Sequence, residues 1–154
     1  MEQLTLSRSH AQQIIAHARA EAPLEACGLL GGKERRVLRV YPTTNVLRSP
    51  TRYEAQGEEV WAALEDMAGR GWEPDPLAIY HSHPRGPETP SETDIAHAYY
   101  PGSVYVIVAH LERPRPSLRG FTIIEGQVNP VALAIVPDRE KNAPNTQLPA
   151  GDGV

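Results

Sequence analysis

Leu77-Ala78-Ile79-Tyr80-His81-Ser82-His83-Pro84 is the stretch that decides how this chain is read. An apolar run leads into two histidines one residue apart. A loop from Arg85 to Pro90 follows, and then Ser91-Glu92-Thr93-Asp94. The pattern predicts a buried-type strand over 77–81, delivering His81 at its C-terminal end, and then a loop and a short helix opened by Ser91. Ser91-x-x-Asp94 partly resembles a capping box, with Asp where Glu or Gln is usual. Strand side chains repeat every two residues, so His81 and His83 face one side. Asp94, on the first turn of the next helix, can fold back over the strand end. Two imidazoles, a carboxylate and an open position for water form the ligand set of a hydrolytic zinc. Nitrogen and oxygen donors without thiolate fit that metal and that job.

Glu25 lies far upstream, in Pro23-Leu24-Glu25-Ala26-Cys27-Gly28-Leu29-Leu30. A hydrolytic zinc needs a general base near its water, and Glu25 is the candidate. It would take the proton and pass it to a leaving amine. Ser91 could offer its hydroxyl to a developing oxyanion, a role that typically contributes ~3 kcal/mol. Its oxygen can also cap the helix, because accepting a backbone N–H leaves the hydroxyl proton free.

Simpler readings stand beside these. A lone His-x-His is often only a surface strand; the downstream Asp and the strand–loop–helix context raise it above that. Glu25 taken singly reads as a solvated charge. Cys27, the only cysteine, reads as a small buried core residue and not as a nucleophile. His10, His17, His97 and His110 are scattered singly and read as surface or core histidines. Trp61 and Trp72 read as packing residues. Arg85 reads as a solvated charge, though it is the cation best placed to meet a substrate carboxylate.

The remaining elements are coarse. Helices are expected over 9–20, with Ser9 as N-cap, and over 58–70, with Val60, Trp61, Leu64 and Met67 at helical spacing. Strands are expected over 26–30, stopped by Gly31-Gly32, and over 36–41, 104–109, 118–124 and 128–136. Mixed strands and helices, not strictly alternating, predict an α/β sandwich with a mixed sheet. The 154 residues fit one domain over 1–136. Residues 137–154 form a polar, Pro-rich tail with almost nothing apolar to bury, and are expected to be disordered. A net charge of −4 argues against nucleic acid as the main partner. One cysteine allows no intrachain disulfide. The sequence shows no signal peptide and no apolar run of the ~20 residues that span a bilayer, so the expected location is the cytoplasm.

Taken together, Glu25-x-Cys-Gly-Leu-Leu, His81-Ser-His83-Pro, Ser91 and Asp94 resemble the JAMM (MPN+/JAB1/Mov34) metalloprotease family. The likeness is strongest to its small prokaryotic JAB-domain branch. The Pro90-Ser91-x-Thr93-Asp94-Ile95 and Tyr99-Tyr100-Pro101-Gly102 runs also look like that branch. The resemblance implies a cytidine-deaminase-like fold and zinc held by His81, His83 and Asp94. It further implies an acid/base at Glu25 and an oxyanion stabiliser at Ser91. It implies cleavage after the C-terminal glycine of a ubiquitin-like or sulfur-carrier β-grasp protein. The competing expectations are a zinc-containing MPN interaction module without catalysis, a peptidase for small peptides, and a RadC-like protein. The Glu25 segment favours the peptidase branch.

Overall fold

The structure, a computed structural model, describes residues 3–138. Most of the expected tail, residues 139–154, lies outside the described residues. The elements run β1 (Leu4–Ser7), α1 (Arg8–Glu21), β2 (Cys27–Lys33), β3 (Arg36–Thr43), α2 (Gly57–Gly69), β4 (Ala78–His83), α3 (Glu92–Ala96), β5 (Val104–Ala109), β6 (Ser117–Ile124), β7 (Gln127–Val131) and β8 (Leu133–Val136). The strands form one mixed sheet in the order β7-β6-β5-β4-β2-β3-β1-β8. β4 lies near its middle, antiparallel to β2 and parallel to β5. A parallel neighbour requires a crossover. The segment from 84 to 103, carrying α3, makes it past the C-terminal end of β4. Crevices at that end of a strand are where open α/β sheets place ligands.

The two-residue period sorts the core. Ala78 and Tyr80 pack with Leu6, Ile14, Ala18 and Val106 under α1. Ile79 packs with Leu29, Ala63, Met67 and Tyr105 under α2. Ile14 and Met67 are fully buried, and burying a side chain of that size contributes ~1.5–3 kcal/mol. His81 and His83 share the parity of Ile79, so they face the α2 side. Tyr80 covers the bare backbone of Gly28, its register partner on β2, where any Cβ would collide with the phenol ring.

Several expectations are corrected. Gly31-Gly32 does not stop β2; the strand continues to Lys33 with a register shift between the two glycines. A Cβ at Gly31 would sit 2.9 Å from Met67 Cγ, so glycine there lets α2 approach the sheet. The expected strand 128–136 is two strands. β7 pairs with β6 and β8 with β1, with only Ala132 between them. Because those two strands end the sheet order, the sheet curls until it is nearly closed. β1 has no counterpart among the expected elements; four residues give too little periodicity. The α1 cap is Ser7, whose Oγ accepts from His10 N, and not Ser9. Trp61 is not a packing residue: it is 65% exposed on α2, whereas Trp72 packs under that helix. No helix among the described residues is long and apolar enough to cross a membrane.

Candidate metal centre

Three donor atoms meet at the end of β4. His81 Nε2 and His83 Nε2 are 3.1 Å apart, and each is 3.1 Å from Asp94 Oδ2. All three side chains are buried, at 1%, 5% and 7% exposure. The backbone of each element explains the triangle. β4 presents both histidines on one face. α3 then returns Asp94 through a full capping box: Ser91 Oγ accepts from Asp94 N at 3.0 Å, and Ser91 N donates to Asp94 Oδ2 at 2.9 Å. Asp replaces the longer Glu or Gln of the usual box, and the same Oδ2 that closes the box also faces the histidines.

The triangle fits a cation. His83 Nδ1–H donates to Pro87 O at 2.8 Å, which fixes the tautomer and leaves the Nε2 lone pair pointing inward. Two imidazole nitrogens and a carboxylate oxygen converging at 3.1 Å need either shared protons or a cation between them. A tetrahedral ion with ~2.0–2.1 Å bonds needs donors ~3.3 Å apart, close to the spacing found. The donor set of two nitrogens and one oxygen suits zinc. Burial pushes the His81 imidazole down, against its Asp94 bond. Burial likewise opposes charge on His83, but the Asp94 and Pro87 bonds outweigh it and raise that ring. For Asp94, burial works upward, and the hydrogen bonds from both histidines overcome it and hold the carboxyl well below the usual range.

Glu25 reaches the site through strand register. β2 and β4 are antiparallel with Cys27 opposite His81. Continuing that register two residues brings Glu25 opposite His83, and Glu25 Oε2 lies 4.0 Å from His83 Nε2. Ser82, pointing to the other face between the histidines, locks this pairing. Its Oγ accepts from Ala26 N at 2.8 Å, and its N donates to Ala26 O at 3.0 Å. Glu25 is not a solvated charge: it is 3% exposed, and Oε1 has no hydrogen-bond partner among the described residues. Burial pushes its carboxyl up to about 8, with the His83 imidazole opposing and Asp94 adding to the rise. A cation in the triangle would pull it back down. A buried carboxyl titrating near neutrality is suited to receiving and returning protons.

Cys27 is buried, its Sγ 3.3 Å from Thr43 Oγ1, and burial raises its thiol to about 11. It remains protonated at neutral pH and is no nucleophile. Three of the singly scattered histidines have ordinary partners: His17 bonds the Tyr80 hydroxyl at 2.7 Å, His97 bonds Thr93 O, and His110 lies near Glu88 and Glu112, whereas His10 Nδ1 is buried with no hydrogen-bond partner among the described residues. Arg85 is exposed in the loop after β4.

Two residues at the site carried no sequence signal. Tyr53 stacks on His81, ring centroids 4.5 Å apart at 22°. Asn45 is a buried amide in the segment joining β3 to α2. Tyr53 and Asp94 also line a cavity of about 550 Å³ walled by Leu29, Val60, Leu64 and Tyr105. The donor triangle therefore opens, through Asp94, on a largely apolar recess under α2.

A family model described as prokaryotic homologs of the JAB domain matches residues 7–123. A Mycobacterium tuberculosis protein named CysO-cysteine peptidase is 39% identical over 128 residues, 80% of this chain and 84% of the relative. A Thermus thermophilus protein named probable TtuB-protein conjugate cleaving protease is 39% identical over 134 residues, 86% of this chain and 83% of the relative. Among solved structures, protein DSY2949 from Desulfitobacterium hafniense superposes with a TM-score of 0.79 at 34% identity, covering 89% of this chain and 95% of that one. A JAB1/MPN domain protein from Archaeoglobus fulgidus superposes at 0.57 and 18% identity over 85% of this chain and 99% of that one, a likeness of fold.

Proposed function

This chain belongs to the prokaryotic homologs of the JAB domain, and from that premise we propose that it is a zinc metallopeptidase. Its substrate is a ubiquitin-like or sulfur-carrier β-grasp protein, and the bond it hydrolyses is the peptide or isopeptide bond after that carrier's C-terminal glycine. The observation that carries the reading is a buried carboxyl, Glu25, 4.0 Å from one corner of a triangle of three metal-type donors. An interaction module has no use for such a carboxyl, whose burial costs stability unless function repays it.

His81, His83 and Asp94 would hold the zinc, which would supply Lewis acidity and bring a water's pKa to about 7. Glu25 takes the proton of the attacking water and returns it to the leaving amine, a contribution of typically ~10²–10⁴-fold. Ser91 keeps its oxygen in the helix cap and turns its O–H toward the carbonyl oxygen as negative charge grows there. Tyr53 and the apolar walls of the cavity exclude water and orient the substrate chain.

The relatives' names point to the substrate class, one to a CysO–cysteine bond and the other to TtuB–protein conjugates. The test is hydrolysis of carrier conjugates ending in Gly-Gly, against versions whose last glycine is alanine or leucine. Turnover is expected to fall sharply with either substitution, and changes beyond the scissile bond to matter less. Equal cleavage of the glycine and leucine forms would overturn the carrier reading in favour of a general peptidase.

A further inference from the structure

We propose that Asn45 is a positioning residue of this site, holding the Glu25 backbone and the Tyr53 ring in one arrangement around the histidine-bearing strand. Asn45 follows the end of β3 and is 5% exposed. Its Nδ2 donates to Glu25 O and to Arg52 O, both at 3.0 Å. Its Oδ1 accepts from Leu47 N and Glu54 N, both at 3.1 Å. A side-chain amide has two donor hydrogens and two acceptor lone pairs, and here all four are used on backbone. The partners also settle the amide's orientation, since two are carbonyls and two are N–H groups.

The consequence is geometric. Arg52 and Glu54 bracket Tyr53, so two Asn45 bonds fix the one residue whose ring stacks on His81. A third bond fixes Glu25, whose own N–H is held by Ser49 O at 2.9 Å in the same segment. Val46 N to Glu54 O at 2.9 Å and Gln56 N to Thr44 O at 3.0 Å close that segment around the amide. Asn45 touches none of the three donor residues of the triangle through any of these bonds. It acts on the proton acceptor and on the cover of one imidazole, and so couples two parts of the site that lie 28 residues apart in sequence. Buried, fully satisfied polar hubs of this kind favour one conformation strongly, because breaking any bond leaves backbone groups unpaired.

The test begins with the metal-free protein, where NMR of the histidine ring protons reads the stack directly. Tyr53→Ala is expected to move the His81 signals downfield by removing the ring above them. Asn45→Ala is expected to move them in the same sense, while His17, on the opposite face of the sheet, keeps its signals. His81 signals unchanged in Asn45→Ala would overturn the proposal. If Asn45→Ala does not fold, Asn45→Asp is read the same way, since it keeps both acceptor bonds and loses both donors. Movement of His17 as large as that of His81 in both variants would make Asn45 a general stability element and also overturn it.

The catalytic consequence rests on the peptidase reading. Zinc-loaded Asn45→Ala is expected to retain wild-type zinc stoichiometry and to cleave a Gly-Gly carrier conjugate at least about tenfold more slowly, as misplaced catalytic groups do. That loss is expected to shrink in a Tyr53→Ala background, because residues acting through one another are not additive. Equal losses in the two backgrounds would count against the coupling. A wild-type protein that cleaves no carrier would fail the peptidase reading and leave the NMR result to decide Asn45.

Discussion

Removing one corner of the donor triangle leaves the other two facing each other across 3.1 Å with nothing to complete the shell. His81→Ala and Asp94→Ala are therefore expected to lose most bound zinc, read by elemental analysis after gel filtration. Full zinc in either variant would disprove the ligand set. These residues were legible in sequence because each rule that places them is local. The strand period puts His81 and His83 on one side, and the capping-box spacing turns Asp94 back toward them. Glu25 was legible only as a candidate. Its approach to His83 depends on the register of β2 against β4, and Ser82 sets that register by bonding a strand far upstream. Asn45 and Tyr53 gave no signal because an asparagine after a strand reads as a turn former. Their roles exist only once segments 25 and 45–54 meet.

At the scale of elements, α1 is pinned to the sheet by a polar contact as well as by its apolar face. His17 Nδ1 and the Tyr80 hydroxyl share a 2.7 Å hydrogen bond, and the Tyr80 ring fills the space over Gly28. Burial lowers the His17 pKa, against the pull of Glu21. The unfolded chain therefore binds a proton there more readily than the folded one. Stability from this group is complete above the unfolded histidine value of ~6.5 and is lost as pH falls through it. Melting temperature is expected to drop between pH 7.5 and 5 by less in His17→Gln than in wild type. An unchanged pH dependence would remove His17 from the balance. Two differences at this scale share a cause. Gly31-Gly32 was expected to end a strand, but packing against Met67 needs glycine in the strand itself. The stretch 128–136 reads as one strand, but sheet closure divides it at Ala132. In both cases tertiary packing overrode a local signal.

For the whole molecule, the α/β class and the mixed sheet followed from the order of strand and helix patterns, whereas its near closure did not, since that depends on which strands become neighbours. Zinc and folding are linked at this scale. A ligand that binds only the folded state stabilises by mass action, about 2.7 kcal/mol at one hundred times its Kd. For a chain of this size that corresponds to roughly 5–11 °C in Tm. Calorimetry with saturating zinc against excess chelator is expected to show such a gap in the wild type and none in Asp94→Ala. A chelator-insensitive wild type would mean that the triangle holds no structural or catalytic ion. The central claim, zinc-dependent hydrolysis with Glu25 moving the proton, is tested most directly by intact-mass spectrometry. A zinc-loaded sample is incubated with a carrier conjugated after its terminal glycine, in parallel with a Glu25→Gln variant of equal zinc content. The account predicts release of the free Gly-Gly carrier by the wild type and at least ~10²-fold slower release by Glu25→Gln. Uncleaved conjugate with the wild type, or cleavage by Glu25→Gln within tenfold of it, would contradict the account.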